Sequence, residues 1–178
     1  MEAVFDNKTN ILNAHIRAVH DNSVLYTLRT KFGYRGRKDT VLLDENPIPG
    51  ASATVGAIHW QEKSLEITGH RKPCSELRRH TGRFFNRTQH WRWSQDRKDY
   101  HIFLEGEEWK ATLNQNMLIA GRFAVPRPHL FSKQPPTLLH LTKTALVEDE
   151  IFLILVFIYC ETKRQNKTNS SIVDPGGW

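Results

Sequence analysis

The chain has little cysteine. Cys74 lies in a polar region and Cys160 in an apolar run, and these are the two cysteines among 178 residues. Two such thiols do not form a disulfide framework, so we expect a reducing compartment and a cytoplasmic location. The segment Met1–Asp6 lacks a basic stretch followed by an apolar one, so we expect no secretory signal. A chain of this length is expected to fold as one domain.

Long hydrophobic runs are also scarce. The ten consecutive apolar residues 151–160 are too few to cross a bilayer, which takes roughly 20, so we expect no transmembrane segment. An element that is apolar on every side must be buried on every side. Its β-branched residues favour a strand, whereas the acidic 148–150 before it and the basic Lys163 and Arg164 after it favour a helix. The residues alone leave this choice open.

The short motifs of common catalytic sites are missing too. The sequence has no Gly-rich phosphate loop, no Gly-x-Ser-x-Gly and no His-Glu-x-x-His. The residues that could bind zinc are irregularly spaced, which disfavours a metal site, and we expect no cofactor: His70, His80, His90, His101 and Cys74. A small basic hydrolase, with His90 or His101 as general base and Arg92 or Lys98 beside a phosphate, remains the third functional hypothesis.

Short strands separated by turn residues make up most of the chain. We predict a flexible lead-in at 1–10, one domain over 11–164 and a disordered tail at 165–178. Lys31 to Asp39 reads as a polar loop that holds two glycines. Nine or ten regularly spaced strands indicate a sandwich or a barrel, and a wide barrel can take an apolar helix through its centre. The strands are predicted near 11–19, 24–28, 40–43, 54–60, 64–68, 89–93, 100–104, 108–113, 118–125 and 137–142.

The positive charge is concentrated in one segment. Residues 70–98 hold nine Lys/Arg against two acids, whereas the net charge of the whole chain is +6. Clustered cations neutralise the phosphates of anionic lipids or of nucleic acids, although such a segment is often simply a solvated face. The candidate ligands for an anionic headgroup are Arg71, Lys72, Arg78, Arg79, Arg83, Arg87 and Arg92.

Aromatic residues are interleaved with these cations. They could stack on exposed bases, which makes a nucleic-acid-binding module the alternative function. Trp91 and Trp93 would share one face of a strand, with Arg92 on the other. Aromatic residues that alternate in this way more often belong to a core. The orientation of the two tryptophans therefore separates the two hypotheses.

Several segments occur in a recognisable order: Asn13, Leu25–Thr30, Asp39–Leu42, Val55–Trp60, Arg83–Phe85, His90–Trp93, Ala120–Phe123 and Glu148–Ile151 with the apolar run that follows. Together they resemble a family of fungal domains that is similar to the tubby C-terminal, LURP-one-related and phospholipid scramblase group. The resemblance implies a mostly β fold, a closed antiparallel barrel around a hydrophobic helix near 149–164. It implies no catalytic residues. By analogy with tubby-like relatives, it implies binding of phosphoinositide headgroups at a membrane surface.

Overall fold

The computed structural model describes residues 1–34, 36–81, 88–113, 117–126 and 135–172. The described part of the chain is mostly β. The strands are β1 Glu2–Phe5, β2 His15–Ala18, β3 Val24–Gly33, β4 Gly36–Asp44, β5 Thr54–His59, β6 Ser64–Ile67, β7 His70–Pro73, β8 Arg78–Thr81, β9 Thr88–Trp91, β10 Tyr100–Glu105, β11 Glu108–Leu113, β12 Ile119–Ala124 and β13 Thr137–Leu141. The helices are α1 Cys74–Leu77, α2 Lys143–Glu148 and α3 Glu150–Ile172.

All thirteen strands form one antiparallel sheet. Its order is β7-β6-β5-β4-β3-β2-β1-β13-β12-β11-β10-β9-β8, so the two edge strands are neighbours in the chain. Among the described residues no ladder joins β7 to β8, and the closed barrel expected from the resemblance is not shown. The four residues between the two edge strands form α1. Across this opening the Lys72 ammonium donates a hydrogen bond to the Trp93 carbonyl at 2.9 Å.

The apolar run 151–160 forms the first part of α3, which confirms the predicted hydrophobic helix. Every side chain from Phe152 to Cys160 is buried. A strand in this position would be surrounded by side chains and would find no backbone partner. A helix satisfies its own N–H and C=O groups, and unpaired buried backbone groups are costly. Enclosure by the side chains of the sheet therefore favours a helix here, despite the β-propensity of the isoleucines and the valine.

Aromatic residues from separate parts of the sheet pack on this one helix. Trp60, which follows β5, stacks on Tyr159 with ring centroids 5.8 Å apart. Phe123 of β12 lies at the same centroid distance from Phe157. The sheet therefore curls around α3, and its inner face supplies the wall that the apolar run requires.

Close approach of the helix depends on a glycine in a strand. A Cβ at Gly121 of β12 would lie 2.7 Å from a methyl carbon of Leu141 and 3.2 Å from the ring of Phe157. Real Cβ atoms almost never approach other atoms so closely, so the helix and its neighbours would have to shift.

Three segments differ from their sequence-based predictions. Glu2–Phe5, expected in a flexible lead-in, forms β1 in the middle of the sheet between β2 and β13. The segment 31–39, expected to be a loop, belongs to the long β3–β4 hairpin except for its turn. The tail predicted from 165 is helical as far as Ile172, and residues 173–178 lie outside the described part.

Helix length and composition also bear on the membrane question. Within the described residues, none of the helices combines the length and the apolar composition that a bilayer crossing requires.

Candidate anion-binding site

Those predicted ligand cations that lie within the described residues do not form one surface. Arg71 of β7 pairs with Glu62 at 2.8 Å and with Glu66 at 3.0 Å. Arg79 of β8 pairs with Asp99 at 2.7 Å. Their charges are therefore largely compensated by neighbouring carboxylates.

The remaining predicted cations have separate environments. Lys72 lies over the ring of Trp93, 4.9 Å from its centroid. Arg92 is half-buried, and its backbone N–H donates to the Leu77 carbonyl at 2.9 Å. Arg83 and Arg87 lie outside the described residues. Arg78 differs from all of these because it lines a pocket.

The structure places Arg78 in a basic pocket of about 410 Å³ at the C-terminal half of α3. We use this name for the cavity lined by Lys63, Arg78, Gln89, Trp109, Tyr159, Cys160, Lys163, Arg164 and Lys167. Its five cations come from the turn between β5 and β6, from β8 and from α3. Segments remote in sequence therefore converge on one concave cationic site.

Two side chains of the pocket are cations held against aromatic rings. The Arg78 guanidinium carbon lies 5.6 Å from the ring centroid of Trp91, and the Lys163 ammonium lies 5.7 Å from that of Tyr159. Such cation–π contacts orient a charge without neutralising it. Within the described part of the chain, no carboxylate forms an ion pair with Lys63, Arg78 or Lys163. These three cations are the best candidates for contact with an anion.

A buried carboxylate supports the floor of the basic pocket. Glu161 is 1% exposed and accepts two hydrogen bonds from the Arg164 guanidinium, at 2.8 and 2.7 Å. It also accepts hydrogen bonds from the Trp109 indole at 2.9 Å and from the Gln165 amide at 2.8 Å. The bond to Glu161 raises the pKa of Arg164 further above its ordinary value. Arg164 is therefore a fixed structural cation, in contrast to Lys163.

The thiol at the pocket wall is poorly suited to nucleophilic chemistry. Burial raises the pKa of Cys160 to about 12, and burial also raises the pKa of Cys74. Thiolates are the reactive form of cysteine, and these thiols stay protonated at neutral pH.

Among the described histidines, His59 lies between two carboxylates, and sequence reasoning missed this arrangement. His59 Nδ1 lies 2.7 Å from Asp39 Oδ1, and its Nε2 lies 3.1 Å from Glu66 Oε2. Both ring nitrogens are engaged, whereas a general base needs one of them for its substrate. The contact with Asp39 joins adjacent strands, β5 and β4, and the arrangement acts as a cross-strand brace.

The histidines of the hydrolase hypothesis lie on neighbouring strands. His90 and His101 are opposite each other in the ladder, and their rings stack with centroids 5.4 Å apart. Burial lowers the pKa of His101, and the nearby His90 lowers it further. Lys98 pairs with Glu148 at 3.1 Å. In the described residues, no three His, Cys, Asp or Glu side chains lie close enough together to hold a metal ion.

The sequence contained a signal for the pocket that we did not use. Lys163, Arg164 and Lys167 have the spacing i, i+1, i+4, which places them on one face of a helix. We read the first two as a helix end and assigned Lys167 to the tail. The contributions of Lys63 and Arg78 could come only from the tertiary structure, because each is a single cation in a different turn or strand.

The chain was also compared with known proteins. Neither the family models, nor the curated proteins, nor the solved structures gave a match. The resemblance to the tubby-like group therefore stays a prediction from the sequence.

Proposed function

We propose that this chain is a non-catalytic domain that binds an anionic headgroup, such as that of a phosphoinositide, in the basic pocket at a cytoplasmic membrane surface. The main support is the convergence of five cationic side chains on one cavity of about 410 Å³. Small-molecule sites commonly have volumes of roughly 300–1,000 Å³. Phosphate groups are the anions that clustered Lys and Arg side chains neutralise best.

The proposal moves the site predicted from the sequence. Arg78 is the one described residue of the predicted ligand set that lines the basic pocket. Lys63 and Lys163 replace Arg71 and Arg79, whose charges are paired with carboxylates. The binding function is kept, but its residues come mainly from α3 and the adjacent turns.

We also propose that the fold is a variant of the tubby-like closed barrel. Two observations support this. The sheet curls around one buried helix, and the opening between its edges is bridged by the contact of Lys72 with the Trp93 carbonyl. The two unpaired, buried thiols support the cytoplasmic location.

The aromatic residues of the basic segment weigh against nucleic acid. Trp91 is fully buried, and Trp93 packs against Phe152 with ring centroids 5.9 Å apart. Neither offers a free face for stacking on a base, which is the usual basis of single-strand binding. We therefore treat RNA binding as an outcome of the test rather than as a second proposal.

The test is co-sedimentation with phosphatidylcholine vesicles, with and without phosphatidylinositol bisphosphate, over a salt series and with RNA as competitor. Lys163→Glu should weaken binding to the phosphoinositide vesicles about tenfold or more, because each cation near an anionic surface contributes about 1 kcal/mol. The matched control is Lys143→Glu, which makes the same charge change at an exposed position of α2. Equal binding by the two variants, or displacement by RNA alone, would overturn the proposal.

A further inference from the structure

The β3–β4 hairpin extends beyond its neighbours in the sheet. The ladder of β2 on β3 stops at Thr27, and that of β5 on β4 stops at Asp39. Beyond these positions the ladder of the sheet continues only between β3 and β4, as far as Gly33 and Gly36. Leu28 and Lys38 still form single backbone hydrogen bonds with Ala14 and Trp60. We call residues 31–34 and 36–38 the hairpin tip. The sequence suggests a polar loop here, but these residues continue the β3–β4 hairpin, and all of them except Arg37 are exposed.

Two aromatic side chains are exposed on the hairpin tip. Phe32 is 66% exposed, and Tyr34 is fully exposed. Large aromatic side chains gain much of their free energy from burial, and folding leaves most of the area of these two rings in contact with water. The described cations of the tip are Lys31, Arg37 and Lys38. Aromatic residues flanked by cations are typical of segments that sit at a membrane–water interface.

The hairpin tip lies at the same end of the molecule as the basic pocket. The Arg37 guanidinium donates a hydrogen bond to the side-chain oxygen of Asn166 at 3.1 Å. Asn166 is next to Lys167, which lines the pocket. On its other side, the Lys38 carbonyl accepts a hydrogen bond from the Trp60 N–H at 3.0 Å, at the turn that carries Lys63.

Among the described residues, no carboxylate forms an ion pair with Lys31, Arg37 or Lys38 of the tip. Asp39 contacts His59, and Glu62 is paired with Arg71. The charge that remains is complementary to an anionic lipid surface. One face of the molecule therefore presents a cationic cavity and, beside it, an aromatic ribbon that projects beyond the sheet.

We infer that the hairpin tip inserts Phe32 and Tyr34 into the interface of an anionic bilayer while the basic pocket holds a headgroup of the same membrane. This inference rests on the proposed function and adds a second, apolar attachment to it. The two attachments differ in their response to salt. Ionic contacts at the surface weaken as salt is raised, whereas burial of aromatic area does not.

The test compares a double variant, Phe32→Ser with Tyr34→Ser, with a matched control. The control is Ile48→Ser with Val147→Ser, which removes two side chains that are 78% and 82% exposed elsewhere on the molecule. Binding to phosphatidylcholine vesicles containing phosphatidylserine and phosphatidylinositol bisphosphate is measured by co-sedimentation. The hairpin variant should bind about tenfold more weakly for each aromatic residue lost, and the deficit should persist at high salt. Tyr34→Trp should bind at least as tightly as the native chain.

A second measurement separates this inference from the proposed function. Inositol trisphosphate has the headgroup phosphates but no acyl chains, and its binding is followed by calorimetry. The hairpin variant should bind it as the native chain does, whereas Lys163→Glu should not. If the hairpin variant retains native vesicle binding, or if the native chain binds the trisphosphate but no vesicles, insertion is overturned. If the native chain fails to bind the trisphosphate while vesicle binding still depends on the hairpin, the pocket is overturned and insertion is supported.

Discussion

The two ends of the apolar run in α3 place charged side chains beside the apolar core in opposite ways. At the first end, Asp149 accepts a hydrogen bond from the Tyr100 hydroxyl at 2.8 Å, and Glu150 accepts one from the Tyr26 hydroxyl at 2.9 Å. Burial raises the pKa of both carboxyl groups. These acids are enclosed, and uncharged donors from the sheet satisfy them.

At the second end, one buried carboxylate, Glu161, accompanies three cations. Glu161 binds Arg164, while Lys163 and Lys167 line the basic pocket. The acidic first turn of α3 suits the helix dipole, whereas the last turn of the helix holds no basic residue. The comparison teaches that charge sign alone does not identify a binding site. A ligand can reach the charged side chains only at the end where they line a cavity.

The largest expected effect comes from the middle of α3, which holds both ends in place. Phe157→Ala should lower the free energy of unfolding by about 3–5 kcal/mol, because it leaves a cavity against Phe123. Denaturant unfolding measures this. The milder Phe157→Leu should cost less, and Val147→Ala, at an 82% exposed position, should stay within about 0.5 kcal/mol of the native chain. A loss below about 1 kcal/mol for the alanine variant would contradict the buried position of this ring.

The second largest effect on the free energy of unfolding is expected from Glu161, the buried carboxylate beside the basic pocket. Glu161→Ala should destabilise the fold by about 3 kcal/mol, since it leaves Arg164 and the Trp109 indole without their acceptor. The same unfolding measurement applies. Its control is Glu45→Ala, an exposed acid directly after β4, which should cause little change. If the two variants were equally stable, the assignment of Glu161 as a structural support would be wrong.

A smaller effect is expected at the acidic end. Tyr100→Phe should cost about 1–2 kcal/mol, because the Asp149 carboxylate loses its donor while remaining buried. Tyr34→Phe removes the same hydroxyl from a fully exposed ring and should be neutral in thermal unfolding. Similar losses from both variants would show that the buried hydrogen bond contributes nothing.

The smallest expected effect is a change of stability with pH, which arises from Glu150 at the acidic end. The raised pKa of Glu150 means that the folded chain keeps this proton to a higher pH than the unfolded chain. Stability therefore falls as the pH rises from the ordinary range of a glutamate through the raised value. The N-terminal ammonium opposes the shift and Asp44 adds to it. Tyr26 donates to this carboxylate, and a glutamine in its place still offers a carbonyl acceptor.

Glu150→Gln removes the loss of stability that accompanies ionisation of this carboxyl group. Relative to the native chain it should gain stability as the pH goes from about 4 to about 7, and the two should be nearly equal at the lower pH. Melting temperatures by circular dichroism check this. Asp21→Asn is the control, because hydrogen bonds from Ser23 lower the pKa of that exposed acid, so the sign is reversed. A difference that shrinks with rising pH would contradict the raised pKa of Glu150.

Local sequence patterns predicted much of the sheet. The segments 100–104 and 108–113 match β10 and β11 closely, because short alternating strands joined through Gly106 form a hairpin with local contacts only. The alternation of Trp91 and Trp93 predicted their packing on the core, and this is confirmed. Patterns of this kind depend on neighbours in sequence, and so they can be read without the fold.

The predictions that differed involve partners remote in sequence. Glu2–Phe5 becomes a central strand because β13, which ends at Leu141, lies beside it. The hairpin tip is extended because β3 and β4 continue their ladder past the polar residues and glycines that suggested a loop. No local pattern carries such information.

The sequence by itself determined that a ten-residue apolar element must be buried, with acids before it and cations after it. Hydrophobicity and charge are properties of the residues and do not depend on where the chain goes. The tertiary structure alone decided that this element is a helix and which cations share a cavity with its C-terminal half. Those outcomes depend on which backbone groups and charges become neighbours, and the neighbours of Lys163 include Arg78 and Lys63 only because the sheet curls around α3.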